Sequence, residues 1–99
     1  MYGTIARVQV KPDKLDEFMK LGGREQADVY PDIVFQHVYR SEGNANEIWL
    51  VVGFTSREAY KRNAASPEQH ERYLHMRSLL DADPEWHDGE VLDSYSTKV

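Results

Sequence analysis

The stretch EIWLVVGF, residues 47–54, is apolar on both of the faces a strand would present. A strand of that kind sits in the middle of a sheet, or in a sheet covered on both sides. The chain around it reads as partners for such a strand. Just upstream, DIVFQHVYRS (32–41) alternates, with Ile33, Phe35, His37 and Tyr39 on one face and Val34, Gln36 and Val38 on the other. EGNAN separates the two runs as a turn. Further back, YGTIARVQV (2–10) has strand periodicity too, placing Thr4, Ala6, Val8 and Val10 together and Ile5, Arg7 and Gln9 opposite. Between these two strands KPDKLDEF opens a helix. Pro12 suits its first turn and Asp13 its N-terminus. Leu15, Phe18, Met19 and Gly22 then form an apolar stripe, and the helix is expected to run to about residue 28.

Downstream of 47–54, Thr55 with Glu58 reads as a capping box for a short helix that ends at AAS. Ser66 with Gln69 reads as a second capping box, with Pro67 at the first helical position. That second helix carries Gln69, Tyr73, Met76 and Leu80 on one face, flanked by His70 and Arg77. DADPEWHDG reads as loop, and EVLDSYS (90–96) as the last strand. The predicted order is β-α-β-β-α-β. This is an α+β, ferredoxin-like arrangement: a four-stranded antiparallel sheet with helices on one face. The other face would be left apolar and uncovered, which points to a homodimer through the sheet.

Composition narrows the function classes. Ninety-nine residues suit one domain, 1–99, with a modest core. No cysteine is present, so disulfides and thiolate chemistry are excluded. The formal net charge is −5 and no basic stripe appears, which argues against nucleic-acid binding. The first residues lack the pattern of a signal peptide, and no apolar run approaches the ~18 residues of a spanning helix. A cytoplasmic protein with no membrane partner is the expectation.

The run FTSREAY after an apolar third strand, followed by SPEQ at the next helix, resembles the antibiotic biosynthesis monooxygenase domain. The resemblance in element order covers nearly the whole chain. It implies a dimeric α/β barrel, in which two ferredoxin-like subunits face each other through their sheets. It also implies a pocket between each sheet and its helices. Members include cofactor-free oxygenases of quinols and aromatic polyketides, haem-degrading enzymes and isomerases of small signalling molecules. Haem-degrading members are similar to one another in an Asn on the first strand and a Trp and a His on the second helical segment. The matching positions here are Ala6, Asn63 and Tyr73, which disfavours haem degradation. Many quinol-type members have a His where this chain has Asn63. They also often have an acidic residue and a Trp where it has Val52 and Phe54.

Oxygenation without a cofactor needs a base for one proton, donors for the resulting anion, and apolar walls. His70 is the first candidate base. Its spacing of three from Tyr73 places both on one helix face, although Tyr73 also reads as core and His70 as rim. His37 is the second. It faces the helices or a partner sheet, depending on strand register. Asn63 and Tyr73 would hold a substrate oxygen, and Tyr60 and Trp86 would wall the pocket. The plainer readings are a helix stop for Asn63, core for Tyr60, and a packing anchor for Trp86. His87, next to Asp88-Gly89, reads as a turn residue among solvated acids. His70 and His75 are five apart, ~140° around a helix, so they do not chelate. No metal and no cofactor are expected. The function read from this is cofactor-independent oxygenation of a small aromatic, quinol or polyketide-like substrate. The alternatives are a non-enzymatic ligand-binding or accessory dimer and, third, an isomerase-type proton transfer.

Overall fold

The computed structural model describes residues 1–22 and 31–97. Its elements are β1 (Tyr2–Gln9), α1 (Leu15–Gly22), β2 (Ile33–Arg40), β3 (Glu47–Phe54), α2 (Arg57–Ala64), α3 (Pro67–Ser78) and β4 (Glu85–Glu90). The strands make one antiparallel sheet in the order β2-β3-β1-β4. This is the ferredoxin-like α+β fold expected from the periodicities. Strand β3, apolar on both faces, lies inside the sheet between β2 and β1.

Registers assign each face. Toward the helices point Thr4, Ala6, Val8, Ile48, Leu50, Val52 and Phe54, of which Thr4, Ala6, Val8, Ile48 and Phe54 are buried. The core is concentrated at one end of that face. Val8, Val10, Ile48, Phe18, Leu79 and Leu80 form its buried cluster, and a bridge between Val10 and Leu80 closes it. At the other end Phe54 and Ala59 are buried and seat the start of α2. The opposite sheet face has none of the described helices on it. It carries Ile5, Arg7, Phe35, His37, Tyr39, Trp49 and Val51.

Four local readings need correction. A bulge at Val34 shifts the β2–β3 register, so Ile33 joins Gln36 and Val38 on the helix side while Phe35, His37 and Tyr39 face away. Plain alternation had kept Ile33 with Phe35; the extra residue in a bulge breaks the period of two. Helix α1 starts at Leu15, because Asp13 has φ 67° and cannot belong to a right-handed turn. Asp is one of the few residues that adopt that conformation readily. The cap of α2 is Ser56, whose Oγ accepts from Ala59 N at 3.0 Å, not Thr55. Ser66 caps α3 as read, accepting from Gln69 N at 3.1 Å with Pro67 following. The extension of the first helix to residue 28 falls outside the described residues.

The fourth correction is the last strand, which is 85–90 rather than 90–96. All six of its residues are exposed, so it lacks an apolar alternation to read. Polar contacts hold it instead. Arg7 Nη1 donates to Glu85 Oε2 at 3.3 Å, and His87 Nε2 lies 2.8 Å from Glu85 Oε1. Those two partners hold the Glu85 carboxyl below its usual range, His87 more than Arg7. Arg7 Nε also donates to Glu47 Oε1 at 2.6 Å, tying β4, β1 and β3 together on the open face.

The β1–β3 pair makes a close backbone approach at Gly3. A Cβ at Gly3 would sit 2.0 Å from the Val52 carbonyl oxygen, a backbone atom that no side-chain rotation can move. Gly3→Ala is therefore expected to cost about 1–3 kcal/mol. Gly43→Ala, where the added Cβ meets nothing within 4 Å, serves as the control and is expected to be near neutral. Urea unfolding of both variants checks this through a lower midpoint for the first alone.

Candidate functional site

Between the packed core and the α2 end, sheet and helices do not meet. They enclose a cleft of about 510 Å³. Its floor is built from two rows of side chains running across all four strands. One row is Gln36, Val52, Thr4 and Asp88; the next is Val38, Leu50, Ala6 and Trp86. All but Ala6 border the cleft. The α2 wall supplies Tyr60 and Asn63, three residues apart and so on one helix face. The α3 wall supplies Gln69, His70, Tyr73 and Met76, and α1 adds Phe18 and Met19.

The structure thus brings five of the six singled-out residues to one cavity: His70, Asn63, Tyr73, Tyr60 and Trp86. His70 is exposed at the mouth, in the first turn of α3; Tyr73, one turn on, is half-buried. Trp86 belongs to β4 rather than to a loop. It is 45% exposed, opposite Ala6, and forms part of the floor. His37 is placed elsewhere. It pairs with Val51 on the face turned away from the described helices and stacks on Phe35 with 5.7 Å between ring centroids. His87 is a strand residue opposite Ile5 on that same face, not a turn residue.

The polar group that sequence reasoning missed lies beside Tyr60. Tyr60 Oη donates to Asp88 Oδ1 at 2.8 Å. Its ring packs against Phe54 and Tyr2 at 5.2 and 5.3 Å between centroids. Burial and then the Asp88 bond push the Tyr60 hydroxyl up to about 12. Tyr60 is therefore a donor near neutrality and not a base. Directly opposite Asp88 across β1–β4 is Thr4, 7% exposed. Thr4 Oγ1 lies near enough to Tyr60 to counter a little of that rise. Yet it makes no hydrogen bond of acceptable geometry among the described residues. Asp88 had a findable signal: Trp86 and Asp88 alternate with Glu85 and His87. The alternation carries no polarity contrast, so it read as a solvated loop.

Chemically, the cleft offers mostly apolar walls, neutral donors in Asn63, Tyr60 and Tyr73, the Asp88 carboxylate, the Arg72 guanidinium and one imidazole. Imidazole is the side chain whose ordinary range spans neutrality. Among the described residues no group of three or more His, Asp or Glu side chains converges to hold a metal ion. No described helix is long and apolar enough to cross a membrane.

Comparison with known proteins agrees with this architecture. The family model described as antibiotic biosynthesis monooxygenase matches residues 1–73, and the chain belongs to that family. A solved protein from Chloroflexus aurantiacus J-10-fl, described as an antibiotic biosynthesis monooxygenase, is similar with a TM-score of 0.77. It is 21% identical, with 98% of each chain covered. SnoaB from Streptomyces nogalater, a cofactor-independent oxygenase solved as a mutant, is similar with a TM-score of 0.77 and 19% identity over 94% of each chain. A family protein from Nitrosomonas europaea gives a TM-score of 0.75 at 17% identity, covering 94% of this chain and all of the other. These likenesses establish the fold. No curated protein sequence matches the chain significantly.

The Tyr60 environment makes a titration prediction. In the spectrophotometric titration of tyrosinate, one of the six tyrosines is expected to ionise near pH 12, and that step is expected to vanish in Tyr60→Phe. The folded value lies above the ordinary 10, so the neutral form is the one folding favours. Its contribution is complete below about pH 10 and is lost as pH rises toward 12. Wild type should lose stability faster than Tyr60→Phe across that window.

Proposed function

We propose that this protein is a cofactor-independent monooxygenase acting on a small aromatic, quinol or polyketide-like substrate. The observation that supports this best is the cleft itself: a mostly apolar cavity of about 510 Å³ with His70, Asn63 and Tyr73 bordering it. His70 takes the phenolic or carbon-bound proton of the substrate. Asn63 and Tyr73 donate to the oxygen that then carries the charge. The substrate anion is the reductant. Dioxygen delivers one atom to the substrate and the other leaves as water, as when an anthrone becomes a quinone. Tyr60 and Trp86 bound the ring-binding space.

Oxygen uptake by purified protein with quinols and anthrones, no cofactor added, tests this. Catalysed uptake is expected, and His70→Ala is expected to lower kcat by about 100-fold, the low end for a general base because the ring is at the mouth. Uptake at the spontaneous rate alone would overturn the reading. The second reading is a ligand-binding or accessory dimer. It is favoured by Asn63, which donates and accepts but cannot take up a substrate proton.

The sheet face turned away from the described helices supports a homodimer in either reading. Ile5 is 45% and Tyr39 63% exposed there, alongside Trp49 and Val51. His37 would then lie in the interface, away from this subunit's cleft. Val51 pairs with both Ile5 and His37, near the middle of the face. Sedimentation of Val51→Asp is expected to give a monomer where wild type gives a dimer; a wild-type monomer would sink the dimer reading.

A further inference from the structure

We propose that Asp88 and Thr4, opposed across β4 and β1 with the Tyr60 hydroxyl bonded to Asp88, form a hydroxyl-binding subsite at one end of the cleft, one that takes a neutral hydrogen-bond donor and turns away a carboxylate. The inference deepens the function proposed above and rests on the cleft being the ligand site.

Three observations carry it. First, Thr4 occupies a position where its own strand face otherwise holds Ala6, Val8 and Val10. It is the buried polar residue among the described ones, and its hydroxyl has no hydrogen-bond partner among them. Valine has nearly the same shape and would fill the place without leaving a hydroxyl unpaired. A group that folding does not use is one a ligand can use. Second, Asp88 lines the same cavity and gives Tyr60 a single bond through Oδ1. A carboxylate accepts about four, so capacity for a ligand donor is left. Side chains directly opposed on antiparallel strands have Cβ atoms about 5 Å apart. One ligand oxygen placed between them accepts from Thr4 and donates to Asp88. Thr4 Oγ1 is closed to solvent, so a side chain that covers it has to shift before a ligand oxygen reaches it. Third, the charge of Asp88 selects. A hydroxyl supplies the proton this carboxylate needs, whereas an anionic ligand end meets a like charge.

The same row fixes a length. From Asp88 to Gln36 is three strand spacings, roughly 14 Å. The ligand class is a flat fused-ring compound with a hydroxyl at the Asp88 end.

The test is binding, measured by calorimetry with oxygen excluded, so that it does not depend on turnover. The probes are 2,6-dihydroxynaphthalene and naphthalene-2,6-dicarboxylate. Wild type is expected to bind the diol at least 10-fold more tightly than the diacid. Asp88→Asn, which can still accept from Tyr60, is expected to narrow that ratio to about threefold or less. Thr4→Val is expected to weaken the diol about 3- to 10-fold while raising the melting temperature of the ligand-free protein. Equal wild-type affinity for the two probes, or failure of the diol to bind at millimolar concentration, would overturn the subsite. So would Thr4→Val with unchanged diol affinity, or with a lowered melting temperature, since that would give the hydroxyl a structural bond within the fold. Selective binding without oxygen uptake would retain the subsite and remove the oxygenase; oxygen uptake without selectivity would do the reverse.

Discussion

The pairing of β1 with β3 is the constraint on which the rest of this structure depends. It runs the full length of both strands, from Tyr2 opposite Phe54 to Gln9 opposite Glu47. Because side chains alternate with a period of two, this one register decides what faces the helices at every position of the two inner strands. The pair is close where Gly3 meets the Val52 carbonyl, and only an absent side chain allows that approach. Strands β2 and β4 then inherit their facing from it, β2 with one extra residue at Val34 and β4 without any.

The cleft follows from how unevenly the helix side is filled. At one end Phe18, Leu79 and Leu80 close over Val8, Val10 and Ile48. At the other, Ala59 and Phe54 seat the start of α2. Helix α3 has no buried residue. It spans the gap rather than filling it, and Tyr73 and Met76 reach only part of the way. A domain of this size has little apolar surface to bury. Leaving such a hollow is costly in contacts, which is why its presence is informative about function rather than about stability.

Electrostatics are divided between the two sheet faces. On the open face Arg7 joins Glu47 and Glu85, and Ser41 donates to Glu47 as well. The Ser41 bond, ahead of Arg7, keeps the Glu47 carboxyl below its usual range. That network holds an edge strand with no apolar face of its own. On the helix side the cleft floor carries the Asp88 carboxylate, bonded to a tyrosine that stays protonated far above neutrality. The same strand therefore serves stability with Glu85 and His87 and the cavity with Trp86 and Asp88.

Much of this was determined by the sequence alone. Apolar periodicity located β1, β2, β3 and the face of α3, and Ser66 with Pro67 located the start of that helix, because burial and capping act over a few neighbouring residues. The grouping of His70 with Tyr73 came from helical spacing by the same local logic. The tertiary structure decided three things that no local pattern holds. The bulge at Val34 decided the facing of Ile33 against that of Phe35 and His37. Pairing with β1 made a strand of 85–90, which has no hydrophobic alternation, and so turned Trp86 and Asp88 into floor. The meeting of β1, β4 and α2 placed Thr4, Asp88 and Tyr60 together, residues 84 positions apart at the extremes. Strand registers and helix docking are long-range choices, made by the whole sheet at once, and a site assembled from four strands and three helices is legible only after they are made.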